Sequence, residues 1–196
     1  TGVGKTLLLQ RLNNHLDLEN IFHHRGSAFG KHVTPQPAQI DIENNLSIRL
    51  IKIHNNGFNS CVLEDEASNI GSRRLPDSLV RVLSTSPLMV LEATMIERVN
   101  NVFDEYINAS LAEYQQLKGN DEGFADWANN LIEILTKIQR RLGGVRYKKI
   151  KGFMDDAILQ HRQHNKTKCH KIWIQSLLED YYDPIYDYQL QKNLNV

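Results

Sequence analysis

The residues best equipped for chemistry stand first in the chain. Thr1-Gly2-Val3-Gly4-Lys5-Thr6 sets two glycines, a lysine and a hydroxyl directly ahead of an apolar run, Leu7, Leu8, Leu9 and Leu12. Glycines let successive backbone N–H groups curl around an anion with no Cβ in the way. In such a loop Gly2 and Gly4 shape the cradle, Lys5 reaches the terminal phosphates and Thr6 is placed to ligate Mg²⁺. The pattern is the end of G-x-x-x-x-G-K-[ST], without its first glycine and the strand that normally leads into it. Residues are therefore expected to precede Thr1. The same six residues also read as a plain helix start carrying a lysine.

Other groups suit the same chemistry. Glu64-Asp65-Glu66 closes a short apolar strand, Cys61-Val62-Leu63, at the place where an acid would help hold Mg²⁺ or act as a base. Of the three, Asp65 is the first choice. Arg25 lies in a flexible polar loop, His24-Arg25-Gly26-Ser27-Ala28-Phe29-Gly30, and Arg73 and Arg74 follow Gly71. Guanidinium groups on loops at the carboxyl ends of strands suit a phosphate or diphosphate. Arg98 reads instead as a helix-surface partner for a nearby acid. His161, His164, Cys169 and His170 match no familiar zinc spacing, so no metal site is assigned and they extend a basic face. Neither Cys61 nor Cys169 has a nucleophile motif around it.

These groups need elements to position them. A helix from Thr6 to about Asn14 leads into a short strand, His15 to Glu19, with little room for a crossover. Further residues are therefore expected to be absent near Asn13–His15. Pro37 and Glu43 favour a helix over residues 38–53, and Asn55-Asn56-Gly57 is a turn. Pro76 starts another helix, and Leu88–Leu91 reads as a strand after Pro87. Beyond about Met95 the chain reads as helices, with Phe124, Trp127, Ala128, Leu131, Leu135 and Ile138 on one apolar face before Gly143-Gly144. The expected fold is α/β. A P-loop nucleoside-triphosphate-hydrolase-like parallel sheet, its first strand missing, covers 1–94, and a mainly helical region covers 95–196.

Composition narrows the function classes. At 196 residues, 41% apolar and 23% charged, the chain is globular rather than disordered. No apolar run is long enough to span a bilayer, so no membrane partner is expected. Two cysteines cannot form a disulfide framework, which favours a reducing, cytoplasmic setting.

Formal charge is zero, but it is a sum of unequal blocks. Residues 87–133 carry 2 basic and 9 acidic side chains, whereas residues 134–178 carry 11 basic and 2 acidic. Such a basic block can hold a polyanion by displacing its counterions. Arg140, Arg141, Arg146, Lys148, Lys149 and Lys151 flank Tyr147 and Phe153, and Lys166 and Lys168 follow. Basic side chains interleaved with aromatics can grip phosphates and stack an unpaired base. A solvated face with core aromatics is the plainer alternative.

Together these segments resemble the carboxyl-terminal P-loop domain of the bacterial tRNA 2-selenouridine synthase family. The likeness rests on the glycine loop, Leu16-Asp17-Leu18-Glu19, His24 to Gly30, Gln36-Pro37-Ala38-Gln39, Glu64-Asp65-Glu66 with Ile70-Gly71, Leu142-Gly143-Gly144, and Tyr181-Tyr182-Asp183-Pro184-Ile185-Tyr186. These stand in family order across almost the whole chain. The resemblance implies a tRNA-modifying transferase that places a geranyl group from geranyl diphosphate on the sulfur of wobble 2-thiouridine. Selenophosphate then supplies selenium and geranylthiol leaves.

It also implies a rhodanese-like amino-terminal domain, absent from this sequence. Lys5, Arg25 and Asp65 would be the catalytic groups. Gly2, Gly4, Lys5, Thr6, Arg25, Arg73 and Arg74 would hold the diphosphate, and the basic block would hold the tRNA anticodon arm. Two other readings stay open: an unrelated P-loop kinase or NTPase using ATP or GTP, and a non-catalytic tRNA-binding fragment.

Overall fold

The computed structural model describes residues 1–194. The chain divides into two compact units, one of Val3–Glu92 and one of Thr1–Gly2 with the residues from Ala93 onward.

The first unit is small and its sheet is short. Helix α1 (Lys5–Leu9) leads through a turn to β1 (His15–Leu16), which pairs in parallel with β2 (Val62–Leu63), His15 opposite Val62 and Leu16 opposite Leu63. The first helix is shorter than its apolar pattern implies. The amides of Arg11 and Leu12 bond three residues back, to the Leu8 and Leu9 carbonyls, and His15 Nδ1 meets the Leu12 carbonyl at 2.5 Å. That tightened turn ends the helix before Asn13 and Asn14, and only Leu9 of its leucines is buried.

Asp17 then caps α2 (Leu18–Phe22), its carboxylate accepting from the Asn20 amide at 2.9 Å. Helix α3 (Gln39–Asn55) forms as Pro37 and Glu43 suggest, burying Ile42, Leu46 and Ile53. With Leu16, Leu18, Ile21, Phe22, Ile70 and Leu75, its Ile42 and Leu46 make the core of this unit. Full burial of each such side chain contributes roughly 1.5–3 kcal/mol.

The hairpin of β3 (Asn69–Ile70) and β4 (Arg73–Arg74) is fastened by the Gln36-Pro37-Ala38-Gln39 segment. Gln36 Nε2 donates to the Phe22 and Ile70 carbonyls, while its Oε1 accepts from the Ser72 amide and hydroxyl. Gln39 bonds both backbone groups of Arg74. After α4 (Asp77–Leu83) the expected strand at Leu88–Leu91 does not form. The four side chains are 37–73% exposed, and no other strand among the described residues pairs with them. β-propensity without a ladder partner leaves an extended coil.

The second unit is helical, as the sequence implies. Thr94 and Glu97 form a reciprocal capping box at the start of α5 (Met95–Phe103). The helix runs through a π turn, Asp104–Ala109, into α6 (Ser110–Lys118), and α7 (Asn120–Lys137) folds back after Gly119. The whole predicted face, Phe124 to Leu135 on α7 and Ile138 just past it, is buried, and the Trp127 indole donates to the Tyr106 carbonyl in the π turn at 3.1 Å. Then follow α8 (Gln139–Leu142), α9 (Gly144–His164), a 3-10 turn at Thr167–Cys169, α10 (His170–Leu177), a second π turn at Leu178–Tyr182, and α11 (Asp183–Leu194). Among the described residues no helix is long and apolar enough to cross a membrane.

Inside this unit the Trp173 indole donates to His170 Nδ1 at 2.9 Å, which leaves Nε2 to carry the proton toward His161 Nδ1, 3.2 Å away. Both imidazoles are therefore neutral. Burial, and then His161, push His170 from 6.5 down to about 3, and burial lowers His161. A folded pKa below the unfolded one means stability is intact above about 6.5 and falls as pH drops toward 3. Urea unfolding at pH 5 should give a stability lower by about 2 kcal/mol than at pH 7.5 from His170 alone. The difference should shrink in a His170→Gln variant.

Candidate functional site

The glycine loop supplies a short arc of backbone ahead of α1. Gly2 (φ 77°) and Gly4 (φ 83°) both adopt left-handed backbone, and Gly4 caps α1 without any side-chain bond. Lys5 Nζ lies 2.9 Å from Glu66 Oε1, with the lysine one-third exposed and the carboxylate nearly buried. The Thr6 hydroxyl donates to Glu19 Oε2 at 3.3 Å. A Cβ on Gly26 would fall 2.6 Å from Glu19 Oε1 and 2.8 Å from Glu66 Oε1. One loop position thus abuts both carboxylates, and Lys5, Thr6, Glu19, Glu66 and Gly26 form one cluster.

The His24–Gly30 loop is more ordered than its composition implies. The Arg25 amide bonds the Gly30 carbonyl, the Gly30 amide bonds the Ser27 carbonyl, and His24 bridges to Lys31. Phe29 is buried and Arg25 is half-buried beside Gly26. Gly26 has φ 66°, so alanine there meets both backbone strain and the two carboxylates. Gly26→Ala should cost about 1–3 kcal/mol in urea unfolding and weaken phosphate-ligand binding, read by titration.

Of the three acids, the middle one is exposed and its neighbours carry the contacts. Glu66 holds Lys5, whereas Asp65 is exposed. Glu64 is 3% exposed, with Oε2 accepting from the Leu18 amide at 2.9 Å and Oε1 meeting no partner among the described residues. Burial pushes its carboxyl upward, Asp17 adds to that, and the Leu18 bond and Lys5 oppose it. Glu19, in the first turn of α2, joins this cluster although its position just past the short strand was the one local signal of it in the sequence.

Arg73 and Arg74 sit in a hairpin strand rather than a loop. Arg73 Nε donates to the Pro37 carbonyl at 2.7 Å, and Arg74 pairs with Asp77 at 2.9 Å. Arg98 is a half-buried ion pair with Asp183 rather than a surface one. Among the described residues no group of three or more His, Cys, Asp or Glu could hold a metal ion.

The basic block is split by geometry. Arg140, Arg141, Arg146, Lys148, Lys149 and Lys151 gather around the α8–α9 joint, while Lys166 and Lys168 lie past the other end of α9, a helix about 30 Å long. Arg146 and Lys149 face Asp180 at 3.6 and 3.7 Å, and Lys151 pairs with Asp155. Arg140, Arg141, Lys148, Lys166 and Lys168 are exposed and form no ion pair among the described residues. The Tyr147 hydroxyl meets Thr136, and the Phe153 ring is 37% exposed.

Comparison with known proteins agrees with this arrangement of motifs. The family model described as the tRNA 2-selenouridine synthase AAA domain matches residues 1–195. Proteins named tRNA 2-selenouridine synthase are similar to the chain: 43% identical over 97% of it in Marinobacter nauticus, 42% over 98% in Sulfurovum sp., and 45% over 98% in Hahella chejuensis. The matches cover 52%, 53% and 51% of those relatives, so the chain spans about half their length. No solved structure matches it. On a family match running from the glycine loop through α11, the chain belongs to the tRNA 2-selenouridine synthase AAA domain family.

Proposed function

We propose that this chain is the diphosphate-handling and tRNA-holding part of an enzyme that modifies wobble 2-thiouridine in tRNA, first by S-geranylation and then by replacement of the geranylthio group with selenium. The observation that carries this reading is the cluster of Lys5, Thr6, Glu19, Glu66 and Gly26, a cation, a hydroxyl and two carboxylates against a glycine loop.

Geranyl diphosphate would lie with its diphosphate on Lys5, Arg25 and the amides of the Gly2–Gly4 arc. As the allylic C–O bond breaks, its electron pair leaves with the diphosphate, and the cradle neutralises that developing charge. The uridine sulfur forms the new C–S bond and the base loses its N3 proton. Lys5 moving onto the diphosphate leaves the Glu66 carboxylate free to receive a proton.

Thr6 and Glu19 fit a Mg²⁺ carried in on the diphosphate. Mg²⁺ sites of this kind need only one or two protein oxygens beside phosphate and water. Bound there, the ion would add to the charge neutralisation. In the second step the selenium of selenophosphate would attack C2 and displace geranylthiol, which takes up a proton as it leaves, and water would then cleave the P–Se bond to release phosphate. The basic region would hold the tRNA anticodon arm, in a cytoplasmic protein.

Calorimetric titration of the full-length protein with geranyl diphosphate, ATP and GTP tests this. Tight binding of geranyl diphosphate over both nucleotides is the expected result. Preference for ATP or GTP would replace the reading with a P-loop kinase or NTPase. Protection of tRNA without any product would leave a tRNA-binding fragment.

A further inference from the structure

The Tyr181–Tyr186 segment has no part in the chemistry above, yet its contacts lead to the glycine loop. Tyr181 and Tyr182 are buried in the helical unit, and Asp183 opens α11. The Asp183 carboxylate takes both ends of the Arg98 guanidinium, Nη1 to Oδ2 at 3.1 Å and Nη2 to Oδ1. That fork fixes the plane of the guanidinium and leaves Nε directed elsewhere. Arg98 Nε donates to the Thr1 carbonyl at 3.2 Å.

One turn along α5, Asn101 Nδ2 donates to the Gly2 carbonyl at 2.8 Å, and the Tyr186 hydroxyl meets Thr1 Oγ1 at 3.0 Å. Gly2 is packed so close to α5 that a Cβ would fall 2.7 Å from the Arg98 carbonyl and 2.8 Å from Val102.

Peptide geometry converts these contacts into a function. In a trans peptide the N–H points opposite to the C=O of the preceding residue. With the Thr1 and Gly2 carbonyls held on α5 side chains, the Gly2 and Val3 N–H groups must point away from them. The N–H groups of Gly2, Val3 and Gly4 donate to no group among the described residues. We infer that Arg98, Asn101, Asp183 and Tyr186 are positioning residues, holding the Thr1 and Gly2 carbonyls so that the Gly2 and Val3 amides stay turned away from α5 and open to a diphosphate.

This inference rests on the reading of the glycine loop as a diphosphate cradle, and the test separates the two. Inorganic diphosphate is titrated into the full-length protein and into Lys5→Ala, Asn101→Ala and Asp183→Asn variants. Lys5→Ala should abolish binding. Asn101→Ala and Asp183→Asn should each weaken it about tenfold. For geranyl diphosphate turnover, KM should rise by a similar factor with kcat within twofold.

Unchanged affinity in Asn101→Ala, with loss in Lys5→Ala, would overturn the inference and leave the cradle standing. Unchanged affinity in Lys5→Ala would overturn the cradle itself. Asn101→Ala removes one hydrogen bond, so it decides the matter even where Asp183→Asn does not fold.

Discussion

Lys5→Ala is expected to weaken geranyl diphosphate binding by a hundredfold or more, measured by calorimetry on the full-length protein. Two effects add. The lysine supplies a charge-assisted hydrogen bond to the diphosphate, which contributes about 1.5–3 kcal/mol. Its loss also strips the nearly buried Glu66 carboxylate of its cation, so the incoming anion meets an uncompensated like charge. The second effect makes a prediction of opposite sign. Glu66→Gln alone should bind diphosphate several-fold more tightly, because one carboxylate no longer competes with the diphosphate for Lys5, while turnover falls if Glu66 receives the proton. A double Lys5→Ala/Glu66→Gln variant should recover part of the affinity lost in Lys5→Ala. Equal affinity in wild type and Lys5→Ala would place the diphosphate away from the glycine loop.

What was legible in the sequence is what local physics writes there. The 3.6-residue spacing from Phe124 to Ile138 gave a face that the structure buries, and Pro37 with Glu43 pointed to the helix that forms as α3. The glycine loop announced itself by residue type.

What stayed hidden depends on partners far along the chain. Lys5 meets Glu66 across 61 residues, and Arg98 meets Asp183 across 85. Which of three consecutive acids faces the loop depends on strand register, and so the sequence choice fell on exposed Asp65 between the two that carry contacts. Leu88–Leu91 has a strand's composition, but pairing belongs to a neighbour, which no local pattern contains. The tract of basic residues likewise hides its division, since only the helix length sets Lys148 and Lys166 on opposite ends of α9.

That division gives the second large effect. Replacing Arg140, Arg141, Lys148, Lys166 and Lys168 together by alanine should weaken tRNA binding by about a thousandfold at 0.1 M salt and flatten the slope of log K against log salt by about 3.5, taking roughly 0.7 counterion released per phosphate contact. Replacing Arg146 and Lys149 should do less per charge, because Asp180 already lies 3.6–3.7 Å from each and partly neutralises them in the free protein. Filter binding or fluorescence anisotropy across a salt series separates the two sets.

The two ends of α9 make a further distinction. If the anticodon arm lies along the helix, substitutions at Arg140, Arg141 and Lys148 and those at Lys166 and Lys168 should each lower the slope in proportion to the charges removed. A slope that responds only to the α8–α9 set would confine the RNA to that joint. A slope that responds to neither would mean that the basic tract is a solvated face and that tRNA is held elsewhere.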